Sequence, residues 1–311
     1  MLPRSAVCSP QRPRLTRFKI RHETLRISII QRLESYLGIY ADGSVADPPP
    51  LDPPPRSEYD EDIDDVPTPF EPFDNLCKRR FLWYYDSYLQ SLNAAEKKHF
   101  AGENFKSMPF EGGGNTMGGK FDYPELKRRL QLIRQVLDRE TLRWAEEGAA
   151  QVKRDGSFAA TLRRQFERMV ETFKKNDMVT LDVDLVQKNN PFVWALTYFG
   201  RPMTQLDGGM FKINMSISPR FPDEQPRVVF ETPLFHHRIA KDGTLCYFPK
   251  RADELQSHID AIVDAIEDEH PPYDPRTLVN LEASKLFWGS AEDKKLYNRQ
   301  LRRSVQRSME M

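Results

Sequence analysis

One cysteine in this chain stands where chemistry could be done. Cys246 closes an irregular segment, His236 to Cys246, which has no clear hydrophobic period and opens with His236-His237-Arg238. A thiolate is a strong nucleophile and a good leaving group. It can take an acyl group from one thioester and lose it to an amine or another thiol. Aminolysis further needs a deprotonated amine and donors aimed at the developing oxyanion. Arg238 carries such donors and a permanent charge. Cys246, between Leu245 and Tyr247, reads as a partly shielded but accessible loop thiol. The bland alternative is a small buried residue, and residue types alone leave both open. Another chemistry falls away at once. Gly114 to Lys120 has the glycine and lysine spacing of a phosphate loop, but Phe121 stands where a magnesium-binding Ser or Thr is needed. It reads as a flexible glycine loop.

The elements that must position Cys246 are strands. Trp194 to Phe199 and Met210 to Ser218 alternate apolar and polar side chains, as half-buried antiparallel strands do. Gly200 to Gly209 is the turn between them, and Arg227 to Glu231 is a short further strand. Met178 to Gln187 reads as the first strand of the set. Before it, Ser157 caps a helix reaching about Lys175. Phe158, Leu162, Phe166, Met169, Val170 and Phe173 lie on one face of that helix, with Arg163, Arg164, Arg168 and Lys174 on the other. After Cys246 the helical period returns. Leu255, Ile259, Ile262, Val263 and Ile266 mark a helix over about Ala252 to Glu269, and two more begin near Arg276 and Glu292.

The stretch from Trp194 to Cys246 resembles the ubiquitin-conjugating enzymes. Gly200, Thr204, Asp207, Gly208, Gly209 and Phe211 fall where that family has its glycine-rich turn and strand. Phe221, Pro222 and Pro226 match its Tyr-Pro-x-x-x-Pro loop, and Phe230, Pro233, Phe235 and His236 match its approach to the catalytic cysteine. Cys246 follows His236 by ten residues, the family spacing. The resemblance implies an α+β, UBC-like fold: an N-terminal helix, a four-stranded antiparallel meander sheet and C-terminal helices. It implies that Cys246 forms a thioester with ubiquitin or a ubiquitin-like protein received from an activating enzyme. The acyl group then passes to lysine or to a ligase cysteine. It gives His236 the shaping of the loop and Asp274 the orienting of the incoming lysine, with a helix cap before Pro275 as the competing role. Arg163, Arg164 and Arg168 would bind the activating enzyme, against a merely solvated helix face. Phe221 and Pro222 are further partner-binding candidates. No metal or organic cofactor is implied, because ATP is spent by the activating enzyme.

Two departures stand beside the resemblance. The family's His-Pro-Asn triplet, whose Asn supports the oxyanion and the loop backbone, reads His236-His237-Arg238. The Trp-Ser-Pro loop that ligases grip is absent after Cys246. These departures support an alternative, a non-catalytic variant that binds ubiquitin or a partner on the same fold. A third class is an assembly adaptor working through the aromatic N-terminal region.

The remaining chain reads as three parts. Residues 1–72 are a mostly disordered region with a basic tail over 1–20, one short helix from Glu23 to Leu37, and a linker, Ala46 to Pro72, of prolines and acids. Residues 73–155 form a helical extension with the glycine loop. Its first helix, Asp74 to Phe100, is dense in aromatics that suit burial against another element. Its second, Tyr123 to Arg154, carries a stripe of Leu126, Leu130, Ile133, Leu137 and Trp144, with Gly148 a candidate break. Residues 156–311 form the catalytic-type domain. Lys and Arg number 46 and Asp and Glu number 46, so a global nucleic-acid-binding role has no support. No apolar run reaches the ~20 residues that span a bilayer. Three cysteines, Cys8, Cys77 and Cys246, suit a reducing compartment, cytoplasmic and/or nuclear, rather than a disulfide scaffold.

Overall fold

The computed structural model describes residues 29–47, 73–100, 102–103, 121–154, 156–174 and 180–310. The basic tail, nearly all of the proline and acidic linker, and the glycine loop Glu111 to Lys120 lie outside the described residues. The chain divides into two units, Met1–Lys78 with Tyr88–Arg139 and Arg79–Ser87 with Glu140–Met311. Helix α1 covers 29–36. It is followed by α2 (Asp74–Glu96), α3 (Tyr123–Lys153) and α4 (Ser157–Lys174). The strands are β1 (Leu181–Leu185), β2 (Val193–Phe199), β3 (Met210–Ser216) and β4 (Arg227–Phe230). Then come α5 (Leu255–Glu267), a 3₁₀ turn at Pro275–Thr277, α6 (Leu281–Phe287) and α7 (Ala291–Glu310). Among the described residues no helix is long and apolar enough to cross a membrane.

In the first unit, the stripe of α3 is buried. Leu130, Ile133 and Leu137 are at most 2% exposed, as is Leu33 of α1. Positions three and four apart share a helix face, so this spacing alone turns them inward. Arg129 holds Glu34 by an ion pair at the rim of that core.

The second unit is built on one antiparallel sheet in the order β1-β2-β3-β4. Its inner face is the alternation read from the sequence. Trp194, Leu196 and Tyr198 of β2 stand opposite Met215, Ile213 and Phe211 of β3, and none of the six is more than 1% exposed. Each such side chain contributes roughly 1.5–3 kcal/mol by leaving water. Helix α4 lays Phe166 edge-on to Trp194 at 5.4 Å and Phe158 against Phe192 at 5.7 Å. Helix α5 adds Leu255, Ile259, Ile262 and Ile266 to the same core. The expected α+β, UBC-like architecture is present.

Two readings change, and one buried charge comes into view. No α-helix begins near Arg276. Pro275–Thr277 is a 3₁₀ turn capped by Asp274, and α6 starts only at Leu281, where the Asn280 side chain accepts from the Ala283 N–H. Gly148 does not break α3, which runs on to Lys153. Its value is room, since a Cβ there would meet the Phe192 ring at 2.4 Å. Finally, the first residue of β4 carries a buried charge. Arg227 is 7% exposed, ion-pairs with Glu140, hydrogen-bonds Thr141 and lies 4.2 Å over the ring of Trp144.

Replacing Gly148 by alanine forces the Phe192 ring aside. The expected loss is about 1–3 kcal/mol, even though alanine is the better helix former by about 1 kcal/mol. The midpoint of urea unfolding measures it, and an unchanged or raised midpoint would show that the ring has room to give.

Candidate active site

The segment before Cys246 lacks a period because it folds back to pair with its own beginning. The Cys246 N–H donates to the Arg238 carbonyl at 2.9 Å, and Leu245 donates to Val228 of β4 at 3.0 Å. Short bridges join Ile239 to Leu245 and Val229 to Thr244. The bend between them needs Gly243. Its φ is +88°, and a Cβ would stand 2.3 Å from the Phe230 carbonyl oxygen. The Asp242 carboxylate accepts from the Thr244 N–H at 3.0 Å and tightens the same bend. Cys246 is thus fixed through its backbone, outside any helix or strand.

Two braces hold this loop from below. Asn280 donates its backbone N–H to the His237 carbonyl at 3.3 Å and its side-chain N–H to the Ile239 carbonyl at 3.2 Å. It therefore grips the carbonyls of the two residues on either side of Arg238. Sequence reading did not single out Asn280. Its only signal was an Asn preceding an acidic first turn, the pattern of a helix cap. The second brace follows the cysteine. Tyr247 and His258 Nδ1 are 3.0 Å apart, and His258 Nε2 is 3.0 Å from the Ala252 carbonyl. The arrangement fits an Nε2–H donor, with Nδ1 accepting from the tyrosine hydroxyl.

His236 and His237 are both buried. His236 Nδ1 accepts from the Arg238 N–H at 3.2 Å, so its neutral ring shapes the turn into the loop. His237 stacks on Phe287 at 4.2 Å. Burial first, and then the charge of Arg238, pushes His237 down to about 3. Burial, His237 and Arg238 hold His236 well below the usual imidazole range.

The thiol itself corrects the sequence reading of an accessible group. Cys246 is 0% exposed and lies in a cluster with Trp83 and Val279, with Tyr84 against it. Its sulfur is 3.6 Å from the Arg276 carbonyl. Burial pushes the thiol up to about 12, although Arg238 and Arg79 pull it the other way. The physical reason is the aromatic face of α2, which no motif near the cysteine announces. Arg238 is half-buried. Its Nε is buried with no hydrogen-bond partner among the described residues. Its charge is felt at Cys246, His236, His237 and Asp274, which places it in the site. Asp274 caps the 3₁₀ turn and takes a forked ion pair from Arg276, with contacts of 3.0 and 2.8 Å to one oxygen. Its carboxyl is lowered chiefly by that pairing.

The other candidates stand apart from this group. On α4, Arg164 and Arg168 are exposed, while Arg163 is half-buried and donates to the Asn189 carbonyl at 3.3 Å. Phe221 is corrected from a surface contact to a core residue. It is 8% exposed and meets the His258 ring at 5.8 Å, leaving Pro222 exposed. Among the described residues no cluster of His, Cys, Asp or Glu could hold a metal ion.

Three imidazoles, His236, His237 and His258, are held below their ordinary range, chiefly by burial. In the unfolded chain they take protons near pH 6.5. The unfolded state then binds more protons, so this stability is complete above about pH 7 and is lost as pH falls below 6.5 toward 3. Each histidine adds a slope of up to roughly 1.4 kcal/mol per pH unit. Urea unfolding between pH 7 and 5 should show the loss, and His237→Phe should reduce its slope by about one proton's worth. An identical slope in the variant would remove His237 from the account.

Comparison with known proteins follows the same residues. The family profile described as ubiquitin-conjugating enzyme matches residues 162–249. The chain is 31% identical over 128 residues to the ubiquitin-conjugating enzyme E2 3 of Arabidopsis thaliana, covering 39% of this chain and 80% of that protein. It is 30% identical over 139 residues to the ubiquitin-conjugating enzyme E2 7 of Triticum aestivum, covering 40% and 81%. The ubiquitin-conjugating enzyme E2 of African swine fever virus is 23% identical over 157 residues, covering 47% and 71%. The sheet, the cysteine-bearing loop and these similarities over most of the plant proteins' length agree: the chain belongs to the ubiquitin-conjugating enzyme family.

Proposed function

We propose that Cys246 accepts the C-terminal acyl group of ubiquitin, or of a ubiquitin-like protein, from an activating enzyme. The Cys246 thiolate attacks the donor thioester carbonyl, the new carbon–sulfur bond forms, and the activating enzyme's thiolate leaves and takes up a proton. The acyl group then passes to a lysine amine or to a ligase cysteine. The observation that carries this reading is the position of Cys246, ten residues after His236 on a loop pinned to β4 and to Arg238. Family membership implies ubiquitin, activating enzymes and ligases as partners in general terms. The exposed Arg164 and Arg168 suit the activating enzyme, in a cytoplasmic and/or nuclear setting. A non-catalytic binding module is the second reading, favoured by the full burial of Cys246.

A panel of activating enzymes and modifiers tests the assignment. A reductant-sensitive adduct is expected, absent in Cys246→Ala and absent or reductant-resistant in Cys246→Ser. An adduct that persists unchanged in Cys246→Ala places the acceptor elsewhere, and no adduct with any modifier, in the wild type or in a Trp83→Ala variant that uncovers the sulfur, selects the binding module. Arg164→Glu and Arg168→Glu should slow charging, more at low ionic strength than at high. Charging rates that the substitutions leave unchanged at both ionic strengths would make these side chains a solvated face.

Arg238 sets the acceptor preference. A guanidinium beside the thioester disfavours an arriving ammonium while favouring an oxyanion. Its unpartnered Nε is a donor available for that oxyanion. Charged protein should therefore discharge slowly onto free lysine and faster onto a small thiol. Arg238→Asn should speed lysine discharge by roughly tenfold, the worth of about 1.4 kcal/mol of barrier. Single-turnover discharge measures both, and fast wild-type lysine discharge that the variant does not improve overturns the proposal.

A further inference from the structure

Charging requires another protein's thioester to touch the Cys246 sulfur, yet residues of this chain already occupy that space. They come from one stretch of α2, Arg79–Ser87. Trp83 is 4% exposed, lies against the thiol and meets Phe248 edge-on at 5.4 Å. Arg79 lies 5.0 Å over the same indole. Around this apolar contact stand polar anchors, each reaching the backbone of a segment beside the cysteine. The Tyr84 hydroxyl donates to the Arg276 carbonyl at 2.6 Å, and the Asp86 carboxylate accepts from the Lys241 N–H at 3.0 Å. Ser87 adds a longer contact, 3.4 Å, to the Val279 carbonyl. Residues 79, 83, 86 and 87 recur at helical spacing, so one face of the helix carries most of the cover.

The two sides of this contact are unequal. Below the thiol, the loop is tied to β4 by backbone hydrogen bonds and to Asn280 by two more. Above it, the contact over the sulfur is made by side chains, the Trp83 indole and the hydrogen bonds of Tyr84, Asp86 and Ser87, each bond with a net worth of order 1 kcal/mol. The helical side is therefore the one that opens by local unfolding. We propose that Arg79–Ser87 is an internal lid that keeps the acceptor uncharged, and that charging requires this stretch to lift from Cys246. The proposal rests on the reading of Cys246 as acceptor and adds its control. The lid excludes the activating enzyme from a bare thiol, and anything that draws α2 away admits it.

Alkylation tests the lid without any activating enzyme. The intact chain is treated with iodoacetamide under native conditions, and modification of Cys246 is followed by peptide mass spectrometry, with the half-buried Cys77 as internal reference. Cys246 is expected to react far more slowly than Cys77. Trp83→Ala should speed it by roughly tenfold or more. The double variant Tyr84→Phe, Asp86→Ala, which keeps the indole in place, should do so by roughly tenfold through the loss of two hydrogen bonds. Low urea should leave these rates nearly flat, because local opening exposes little surface. Cys246 reacting as fast as Cys77 overturns the lid. So do rates unchanged in both variants, or a wild-type rate that climbs steeply with urea. Charging of the same variants separates the two ideas. Faster alkylation with faster charging supports both, whereas faster alkylation with no charging by any activating enzyme leaves the lid standing and defeats the acceptor reading.

Discussion

A guanidinium buried at the start of β4 has to be paired where it lies. Arg227 cannot reach water, and removing one partner from a buried ion pair costs several kcal/mol. Its partners, Glu140, Thr141 and Trp144, occupy little more than one turn of α3. They all precede the 162–249 region that the family profile covers. The strand that Arg227 opens is also the strand to which the thiol loop pairs, through Val228 and Val229. The position of the cysteine therefore depends on residues outside the shared family core. The last part of α3 is as much a piece of this unit as β4.

Around the sulfur two effects oppose each other, and their sizes decide the protonation state. Arg238 and Arg79 favour the thiolate, while burial favours the thiol, and burial dominates. The same Arg238 charge helps keep His236 and His237 neutral. A neutral His236 is what can accept from the Arg238 N–H and hold the turn. The loop thus tolerates an arginine because its backbone is carried elsewhere. Asn280, on the element after the 3₁₀ turn, takes the two carbonyls on either side of it.

The strands were legible because their alternation is local, and the sheet realises it residue for residue in Trp194, Leu196 and Tyr198. The cysteine loop was legible only through resemblance, since an irregular backbone leaves no period. The density of aromatics in α2 announced burial, but not against what. Trp83 meets Cys246 across 163 positions of sequence, and nothing local encodes such a contact. Gly148 was misread for a related reason. Glycine in a helix usually signals a weak point, whereas here the deciding neighbour is Phe192, far along the chain and close in space. Phe221 matched a surface motif, yet its ring found His258 and the core.

The neutral state of the buried sulfur also bears on its oxidation. Peroxides oxidise the thiolate, and the first product, a sulfenic acid, needs water-facing room to form and to be resolved. A protonated sulfur beneath an indole offers neither. While α2 covers it, the Cys246 sulfur is shielded from that oxidation. On the proposed lid, oxidation of Cys246 would share the same open moments as its charging.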